Sequence, residues 1–411
     1  MNRRKPLFSI LIPTYNRAAF LPLAIESVLR QTFKDFELIV SNGGSTDNTK
    51  DVVTLFDDER IKYVEADTRL SMSDNYQRAF DYAAGEFIIF FSDDDAFVPT
   101  MLERVERVIK EQNAKMVAFH TAFYYPESFE EFNDRIASNS LLFLPYRGKT
   151  SPVKSQHALT QMFGNFGLVK VPKDTKHFQP FIGNIVCHNS IYNKIIQKTP
   201  RLFPIVPVDV YLVAMILGLA EEYYHLSEPL LVWSRWSKNA TAPFNMKGKS
   251  LRQHYEKLLE GESLEYVPMK FALPNNCTDN ALLQAKKDLG EAASYLNVDW
   301  GTYFISNFEQ LMYLSEAGVD TNEEFQEFSY TLAAQPTEVQ VHVRAVTSRF
   351  TAVMKREIRK RIPFVAKKLR NLFMLKQNEK PIIVRGAEAG FNNFLECANY
   401  LERNLDKFSK G

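Results

Sequence analysis

Residues 87–95 read Phe-Ile-Ile-Phe-Phe-Ser-Asp-Asp-Asp, an apolar run that ends directly in three carboxylates. So short a run of β-type residues predicts a buried parallel strand, which places the acids at its carboxyl end. Open α/β sheets bind ligands at that edge. Neighbouring acids repel one another unless water, a basic side chain or a divalent cation takes up their charge. The alternatives are therefore a cation site that suits a nucleotide substrate and a solvated acidic loop.

The sequence before this run alternates between strand and helix patterns. The predicted strands cover residues 8–12, 37–40 and 61–64, and helices are predicted at residues 20–30, after residue 47 and at residues 75–84. This alternation predicts parallel strands joined by right-handed crossovers. The polar loops that follow the three strands, near residues 13–17, 41–47 and 67–69, should then gather beside the acids.

Four segments in a fixed order resemble the inverting family 2 glycosyltransferases of bacterial polysaccharide type, which have the GT-A fold. They are residues 9–17, 27–40, 44–49 and 84–95, and the resemblance extends over residues 7–105. It implies an α/β fold with a Rossmann-like, mostly parallel sheet flanked by helices. The mostly helical pattern after residue 247 adds a helical C-terminal extension, with helices predicted at residues 251–259, 280–296 and 304–316.

The resemblance also implies a donor site for a nucleotide-diphosphate sugar. Asp94 matches the carboxylate that ligates Mn²⁺ or Mg²⁺, while Asp93 and Asp95 would contact the ribose or support the metal, with Asp95 as a second ligand. The loop after the first strand would lie against the base. The other expected donor-site residues are Pro13, Thr14, Tyr15, Asn16, Asn42, Gly43, Asp67, Arg69, Asn75 and Arg235.

Two positions depart from the family pattern. Asn42 and Gly43 stand where many relatives carry two acids, so the residue that usually reads the base is missing. A UDP-sugar is favoured, and a dTDP- or GDP-sugar is an alternative. Ser92 replaces the first acid of the Asp-x-Asp pattern and leaves Asp94 in register with the metal ligand.

An inverting transferase needs a general base that deprotonates the acceptor hydroxyl. The resemblance implies an acid just before an apolar helix, and Asp209 precedes such a run; the alternative is that it only caps the helix. Near residue 235 relatives often carry a His that is absent here, so Arg235 or Lys238 would contact the diphosphate. Core packing is expected for Trp233, and Trp236 stays open.

The predicted organisation has three parts. Residues 1–120 form the nucleotide-sugar-binding half of the GT-A domain, residues 121–247 the acceptor-binding half, and residues 248–411 a mostly helical region. Within the last part, residues 344–376 carry eleven Lys and Arg against the single acid Glu357. This basic amphipathic segment would bind an anionic membrane or pack on the catalytic domain. Nucleic-acid binding is not expected, because no recognisable module accompanies the charge.

Composition is that of a globular protein, with 411 residues, 45% hydrophobic residues and a net charge of +1. Three widely spaced cysteines argue against a disulfide framework. The basic start shows no signal-peptide pattern. The expected location is cytoplasmic, with a possible peripheral association at the inner face of the membrane, where family 2 enzymes meet glycan or lipid-linked glycan acceptors.

Two competing functions remain open at this point. A nucleotidyltransferase would carry a Gly-rich basic loop after the first strand, and residues 13–16 are unlike one. A catalytically inactive binding or scaffold protein of the same fold is compatible with Asn42 and Gly43, although the intact acids and Asp209 argue against it.

Overall fold

The computed structural model describes most of the chain. The described residues are 5–127, 129–131, 134–146, 150–171, 180–235, 253, 256–257, 259, 262–316, 318–357 and 382–408. The strands are β1 (Phe8–Thr14), β2 (Phe36–Asn42), β3 (Ile61–Glu65), β4 (Phe87–Phe90), β5 (Ala96–Phe97), β6 (Met116–Tyr125), β7 (Phe129–Glu131), β8 (Asp134–Ile136), β9 (Ser140–Phe143), β10 (Thr150–Lys154), β11 (Ile185–His188), β12 (Glu222–Ser234) and β13 (Ile382–Arg385). The α-helices are α1 (Leu21–Leu29), α2 (Thr49–Thr54), α3 (Met72–Asp81), α4 (Met101–Gln112), α5 (Ser155–Asn165), α6 (Asn189–Lys198), α7 (Val208–Leu219), α8 (Pro274–Leu289), α9 (Trp300–Glu316), α10 (Asn322–Ala333), α11 (Thr337–Glu357), α12 (Gly386–Ala389) and α13 (Phe394–Phe408).

Within the described residues, eleven strands form one mixed sheet whose main order is β10-β12-β6-β11-β4-β1-β2-β3. Strands β4, β1, β2 and β3 are parallel neighbours, as the alternating pattern predicts. Strand β11 runs antiparallel between β4 and β6, so the sheet is mixed beyond β4. All four residues of β4 are buried, which confirms the strand predicted from residues 87–91. The sheet flanked by helices confirms the predicted GT-A fold class.

Two hydrophobic cores lie on opposite faces of the sheet. One combines helices α3, α5, α6 and α7 with α8 to α11, and the other combines α1 and α4 with α13. Leu401 of α13 and Tyr303 of α9 are fully buried, one in each core. The C-terminal region thus packs on both faces of the sheet rather than extending away from it. The proposed division into three parts stays a prediction.

Several element boundaries differ from the expected ones for local reasons. Helix α3 begins at Met72 rather than residue 75, because the Ser71 side chain accepts a hydrogen bond of 3.0 Å from the backbone N–H of Asp74. Helix α8 begins at Pro274, a residue that fits a first helical turn. The tail also contributes a strand, since β13 pairs with β9.

The basic segment is described only in part. Its first residues continue α11 as far as Glu357, and residues 358–381 lie outside the described part of the chain. Most of the predicted helix at residues 251–259 also lies outside it. In the described ranges, no helix has both the length and the apolar character needed to cross a bilayer. All three cysteines are buried and carry free thiols, as expected.

Candidate functional site

The three acids lie where the sequence predicts, just beyond the carboxyl end of β4. Asp93, Asp94 and Asp95 are 8%, 4% and 3% exposed, so their charges are largely removed from water. A solvated acidic loop would be exposed, and this alternative is therefore wrong. Burial of three neighbouring carboxylates requires compensating groups, and the structure supplies several.

Arg17 is the main compensating cation, and its role was missed at the sequence level. Its Nε lies 3.3 Å from Asp93 Oδ1, and its Nη2 donates to Asp94 Oδ2. Its guanidinium carbon lies 4.5 Å from the centroid of the Phe20 ring, which supports the side chain from one side. Because β1 neighbours β4 in the sheet, the loop after β1 faces the acids. A search for a basic residue at that loop would have found Arg17.

Burial and mutual repulsion dominate the electrostatics of the acids. Burial and the Asp94 charge raise the pKa of Asp93 to about 6, against the attraction of Arg17 and a 2.7 Å hydrogen bond from Thr14 Oγ1. Burial, again with Asp94, raises the pKa of Asp95 well above its ordinary value, and a 2.8 Å hydrogen bond from the Ser234 N–H opposes that rise. An added cation would relieve the remaining repulsion.

The end of β12 forms the wall of the site beside Asp95. Ser234 and Arg235 are buried, and the Arg235 N–H donates to the Tyr124 carbonyl at 2.8 Å. The Arg235 guanidinium carbon lies 5.5 Å from the centroid of the Trp233 ring. Trp233 is partly buried and stacks on Phe181 with ring centroids 5.0 Å apart, which agrees with the packing expected for it. Trp236 and Lys238 lie outside the described residues.

The loop after β1 is tied to the loop after β2. Asn16 has φ of 53° and accepts a hydrogen bond of 2.8 Å from the Thr46 N–H, while its own N–H donates to Ser45 Oγ. Asp47 accepts from the Ala18 N–H at 3.1 Å. These contacts hold the predicted base-binding loop in one shape. Tyr15 is 37% exposed on it, and the Arg69 guanidinium carbon lies 5.5 Å from its ring centroid.

Asn42, Gly43 and Asn75 hold the backbone of the site together. Asn75 donates to the Thr14 carbonyl at 3.0 Å and accepts from Ser41 Oγ at 2.8 Å, so both ends of its buried amide are used. These bonds give Asn75 a bracing role between the loops, and its predicted nucleotide contact stays a prediction. Asn42 Nδ2 donates to the Tyr63 hydroxyl at 2.8 Å, and its Oδ1 accepts from the Ser45 N–H.

Gly43 is enclosed by this bracing. A Cβ there would lie 2.9 Å from Asn75 Nδ2, so the position has no room for an acidic or other side chain unless Asn75 moves. The next residue, Gly44, has φ of 80° and passes close to the Thr68 carbonyl. The loop after β3 is thereby held against the loop after β2 and presents Asp67 and Arg69 at the surface.

Asp209 lies in the first turn of α7, where Pro207 is the N-cap residue. Asp209 is therefore not the N-cap residue, although its carboxylate still satisfies backbone N–H groups of the first turn, and its general-base role stays a prediction. Burial raises its pKa, and the backbone N–H groups of Val210 and Asp209 oppose this by hydrogen bonding. A raised pKa makes the ionised carboxylate a stronger proton acceptor, which suits the general-base role predicted for Asp209.

Tyr76 connects Asp209 with the acid cluster. Burial is the largest cause of the raised pKa of its hydroxyl. The negative charge of Asp209 is the next largest, and the charges of Asp93, Asp94 and Asp95 contribute less. Its ring stacks on Phe90 of β4 with centroids 5.7 Å apart and contacts Phe203 before α7. The structure therefore brings the candidate base and the acids to one partly buried tyrosine, which the sequence did not single out.

Glu262 fixes the segment that leads to Asp209. Its Oε2 accepts from the Val206 N–H at 2.7 Å, and its Oε1 accepts from Ser73 Oγ of α3 at 3.4 Å. A second clamp joins Arg201 to Asp74 of α3. The C-terminal region thus contributes one acid that holds α3 and the start of α7 together.

The carboxylates fit a divalent cation only as a partial ligand set. In the part of the chain that the structure describes, no group of three or more His, Cys, Asp or Glu side chains is arranged as a metal site. Mg²⁺-type sites commonly use one or two carboxylates and take their other ligands from water and phosphates. Asp94 and Asp95 supply hard oxygen donors of this kind, and their buried charge favours a cation.

Comparisons with known proteins point to one family. The family described as Glycosyl transferase family 2 matches residues 9–170. The PGL/p-HBAD biosynthesis glycosyltransferase of Mycobacterium bovis is 41% identical over 110 residues, which are 26% of this chain and 43% of that protein. The Escherichia coli UDP-Glc:alpha-D-GlcNAc-diphosphoundecaprenol beta-1,3-glucosyltransferase WfgD is 37% identical over 97 residues, which are 24% of this chain and 38% of that protein.

The chain thus spans less than half the length of these curated relatives. Among solved structures, S. aureus TarS in complex with UDP-GlcNAc aligns with 84% of this chain and 91% of its own, at 14% identity and a TM-score of 0.48.

Proposed function

Residues 9–170 belong to family 2 of the glycosyl transferases, and we propose that the chain transfers a sugar from a nucleotide-diphosphate sugar to an acceptor hydroxyl. The observation that carries the proposal is the juxtaposition of two chemically different carboxylate sites. The buried acids after β4 suit the cation and the diphosphate, and the charge of Asp209 acts on the same tyrosine, Tyr76, as the charges of those acids. Donor activation and acceptor deprotonation require such a pair of sites.

The donor would bind at the carboxyl edge of β1, β2 and β4. Tyr15 and Arg69 offer an exposed ring and guanidinium on which a flat base can stack. Asn42 uses its amide on Tyr63 and Ser45, and no side chain projects from Gly43, so positions 42 and 43 supply no carboxylate to read the base. A UDP-sugar is the favoured donor, because the E. coli relative is named for UDP-Glc. dTDP- and GDP-sugars are the alternatives.

Asp94 and Asp95 would hold Mn²⁺ or Mg²⁺ together with the donor diphosphate. A bound divalent cation would supply charge neutralisation for the departing nucleoside diphosphate. Arg235, buried at the end of β12 beside Ser234, would contact the same phosphates. Asp93 is held by Thr14 and Arg17 and supports the cluster or contacts the ribose.

The proposed reaction is a single displacement with inversion. Asp209 accepts the proton of the acceptor hydroxyl as its oxygen forms a bond to the anomeric carbon. The bond from that carbon to the diphosphate breaks, and the electron pair leaves with the nucleoside diphosphate.

The acceptor is proposed to be a glycan on a lipid carrier, at the inner face of the membrane. The support comes from the E. coli relative, whose name specifies a diphosphoundecaprenol-linked sugar as acceptor. The basic sequence of residues 344–376 would add attraction to anionic lipid. The intact acid triplet and the presence of Asp209 favour the enzyme over an inactive scaffold.

Release of nucleoside diphosphate from UDP-, dTDP- and GDP-sugars, with GlcNAc-diphosphoundecaprenol as acceptor, tests this proposal. Asp94→Asn should remove metal-dependent turnover, and Asp209→Asn should spare donor binding while suppressing transfer. Normal turnover of the Asp94→Asn protein would refute the metal assignment. Normal turnover of the Asp209→Asn protein would leave Asp209 a purely structural residue at the start of α7.

A further inference from the structure

The contacts of Arg17 occupy the carboxylate oxygens that a cation would need. Its Nη2 donates to Asp94 Oδ2, while Asp94 Oδ1 accepts from Ser92 Oγ at 2.5 Å. Asp93 Oδ1 accepts from Arg17 Nε, and Asp93 Oδ2 accepts from Thr14 Oγ1. Both oxygens of each acid therefore have protein donors. The third acid, Asp95, accepts a hydrogen bond of 2.8 Å from the Ser234 N–H at its Oδ1.

Direct coordination by Asp94 is incompatible with these contacts as they stand. A metal on Asp94 Oδ2 would replace the Arg17 hydrogen bond at the same oxygen. A guanidinium and a divalent cation a few ångströms apart repel each other strongly in a site shielded from water. The side chain of Arg17 is only 23% exposed, so solvent screens this repulsion incompletely.

We propose that Arg17 is a resident counter-cation of the acid cluster, which the divalent metal must displace from Asp94. The inference rests on the proposed metal site and adds a residue that sets its affinity. In the metal-free protein the positive charge of Arg17 offsets part of the repulsion among the three buried acids. When a divalent cation binds, the guanidinium leaves Asp94, and its charge becomes available to the donor phosphates at the same edge. Arg17 thus weakens metal binding in the absence of donor.

The test is Mn²⁺ binding to the full-length protein without nucleotide, followed by the electron paramagnetic resonance signal of free Mn²⁺. Arg17→Gln removes the charge and keeps a side chain of similar length. It should tighten Mn²⁺ binding by about ten-fold or more, because a repulsion of only about 1.4 kcal/mol is worth that factor. Arg17→Lys keeps the charge and should stay within about three-fold of wild type.

Arg60→Gln is the matched control. Like Arg17, Arg60 donates hydrogen bonds from Nε and Nη2 to aspartate oxygens, in this case both of Asp58. Its guanidinium carbon lies 4.4 Å from the Phe36 ring centroid, and its side chain is also 23% exposed. It lies just before β3, at the opposite end of that strand from the loop that faces the site, so its loss should leave Mn²⁺ affinity unchanged.

Equal or weaker Mn²⁺ binding by the Arg17→Gln protein would overturn the inference, since Arg17 would then organise the ligands rather than compete with the metal. Absence of Mn²⁺ binding in wild type and Arg17→Gln alike would overturn it too. The readout involves no sugar transfer. If Arg17→Gln tightens Mn²⁺ binding and wild type transfers no sugar, the proposed function fails and the inference about Arg17 stands.

Discussion

The contact between Gly43 and Asn75 makes a quantitative prediction about how the donor loops are held. A Cβ on residue 43 would lie 2.9 Å from Asn75 Nδ2 and 3.1 Å from Asn75 Cγ, distances that force the amide to move. Gly43 has no left-handed φ, so a Gly43→Ala change introduces crowding without backbone strain. We expect it to lower the free energy of unfolding by about 1–3 kcal/mol, the usual cost of overpacking.

Asn75→Ala should be destabilising for a different reason. It removes hydrogen bonds of 3.0 and 2.8 Å and leaves the Thr14 carbonyl and the Ser41 hydroxyl without that partner. The loss of two buried hydrogen bonds should lower the free energy of unfolding by about 2–4 kcal/mol. It also removes the atoms that crowd residue 43. In the Asn75→Ala background, Gly43→Ala should therefore cost less than about 0.5 kcal/mol, which gives a coupling energy of about 0.5–3 kcal/mol.

Urea unfolding of wild type, both single variants and the double variant, followed by tryptophan fluorescence, measures this coupling. Gly85→Ala is a useful comparison, because a Cβ there would meet Ser9 rather than Asn75, and its cost should be the same in both backgrounds. If Gly43→Ala costs the same with and without Asn75, the crowding explanation is wrong. The explanation of why no acid stands at position 43 would fail with it.

Three further predictions concern the base, its support and the membrane. Because the base must be ionised and burial raises the pKa of Asp209, the transfer rate should rise with pH through a value above the ordinary aspartate pKa of about 3.9. A pH–rate profile tests this, and the same acid limb in the residual activity of Asp209→Asn would contradict it. Glu262→Ala should lower kcat about ten-fold or more with little change in donor KM, because α7 loses its clamp, whereas Glu262→Gln can still accept from the Val206 N–H and should retain activity; equal losses in both would remove the positioning role. Sedimentation with anionic phosphatidylglycerol vesicles should decrease when five basic residues of the segment are replaced by Gln: Lys355, Arg356, Arg359, Lys360 and Arg361. It should not decrease when five exposed lysines elsewhere are replaced by Gln (Lys50, Lys110, Lys154, Lys170 and Lys194), and equal sedimentation of both proteins would exclude the basic segment as a membrane contact.

Local patterns predicted the parts of the site that depend on short stretches of sequence. The apolar run into Asp93 and the polar loops after β1, β2 and β3 were identifiable, because strand direction alone brings them to one edge. The metal ligands and the base remain predictions, and Asp209 at the start of an apolar helix was found through family resemblance rather than periodicity.

The rest of the site depends on contacts between residues far apart in the chain. Arg17 and Asp94 are 77 positions apart, and Glu262 is 189 positions from Ser73. Arg17 was within reach, since buried acids demand a cation and its loop adjoins β4. Glu262 lies just beyond the helix predicted at residues 251–259, and only the packing of the C-terminal region against α3 reveals its role. Asn75 was assigned to the ligand because its amide partners could not be inferred from sequence.

The most direct test of the central claim is calorimetric binding of UDP, dTDP and GDP to the full-length protein, with and without Mn²⁺, alongside Asp94→Ala. We predict that one nucleotide, with UDP favoured, binds in a Mn²⁺-dependent manner and that Asp94→Ala abolishes the dependence. Binding of no nucleotide under either condition would contradict a donor site at the carboxyl end of β4 and favour a non-catalytic protein of the same fold.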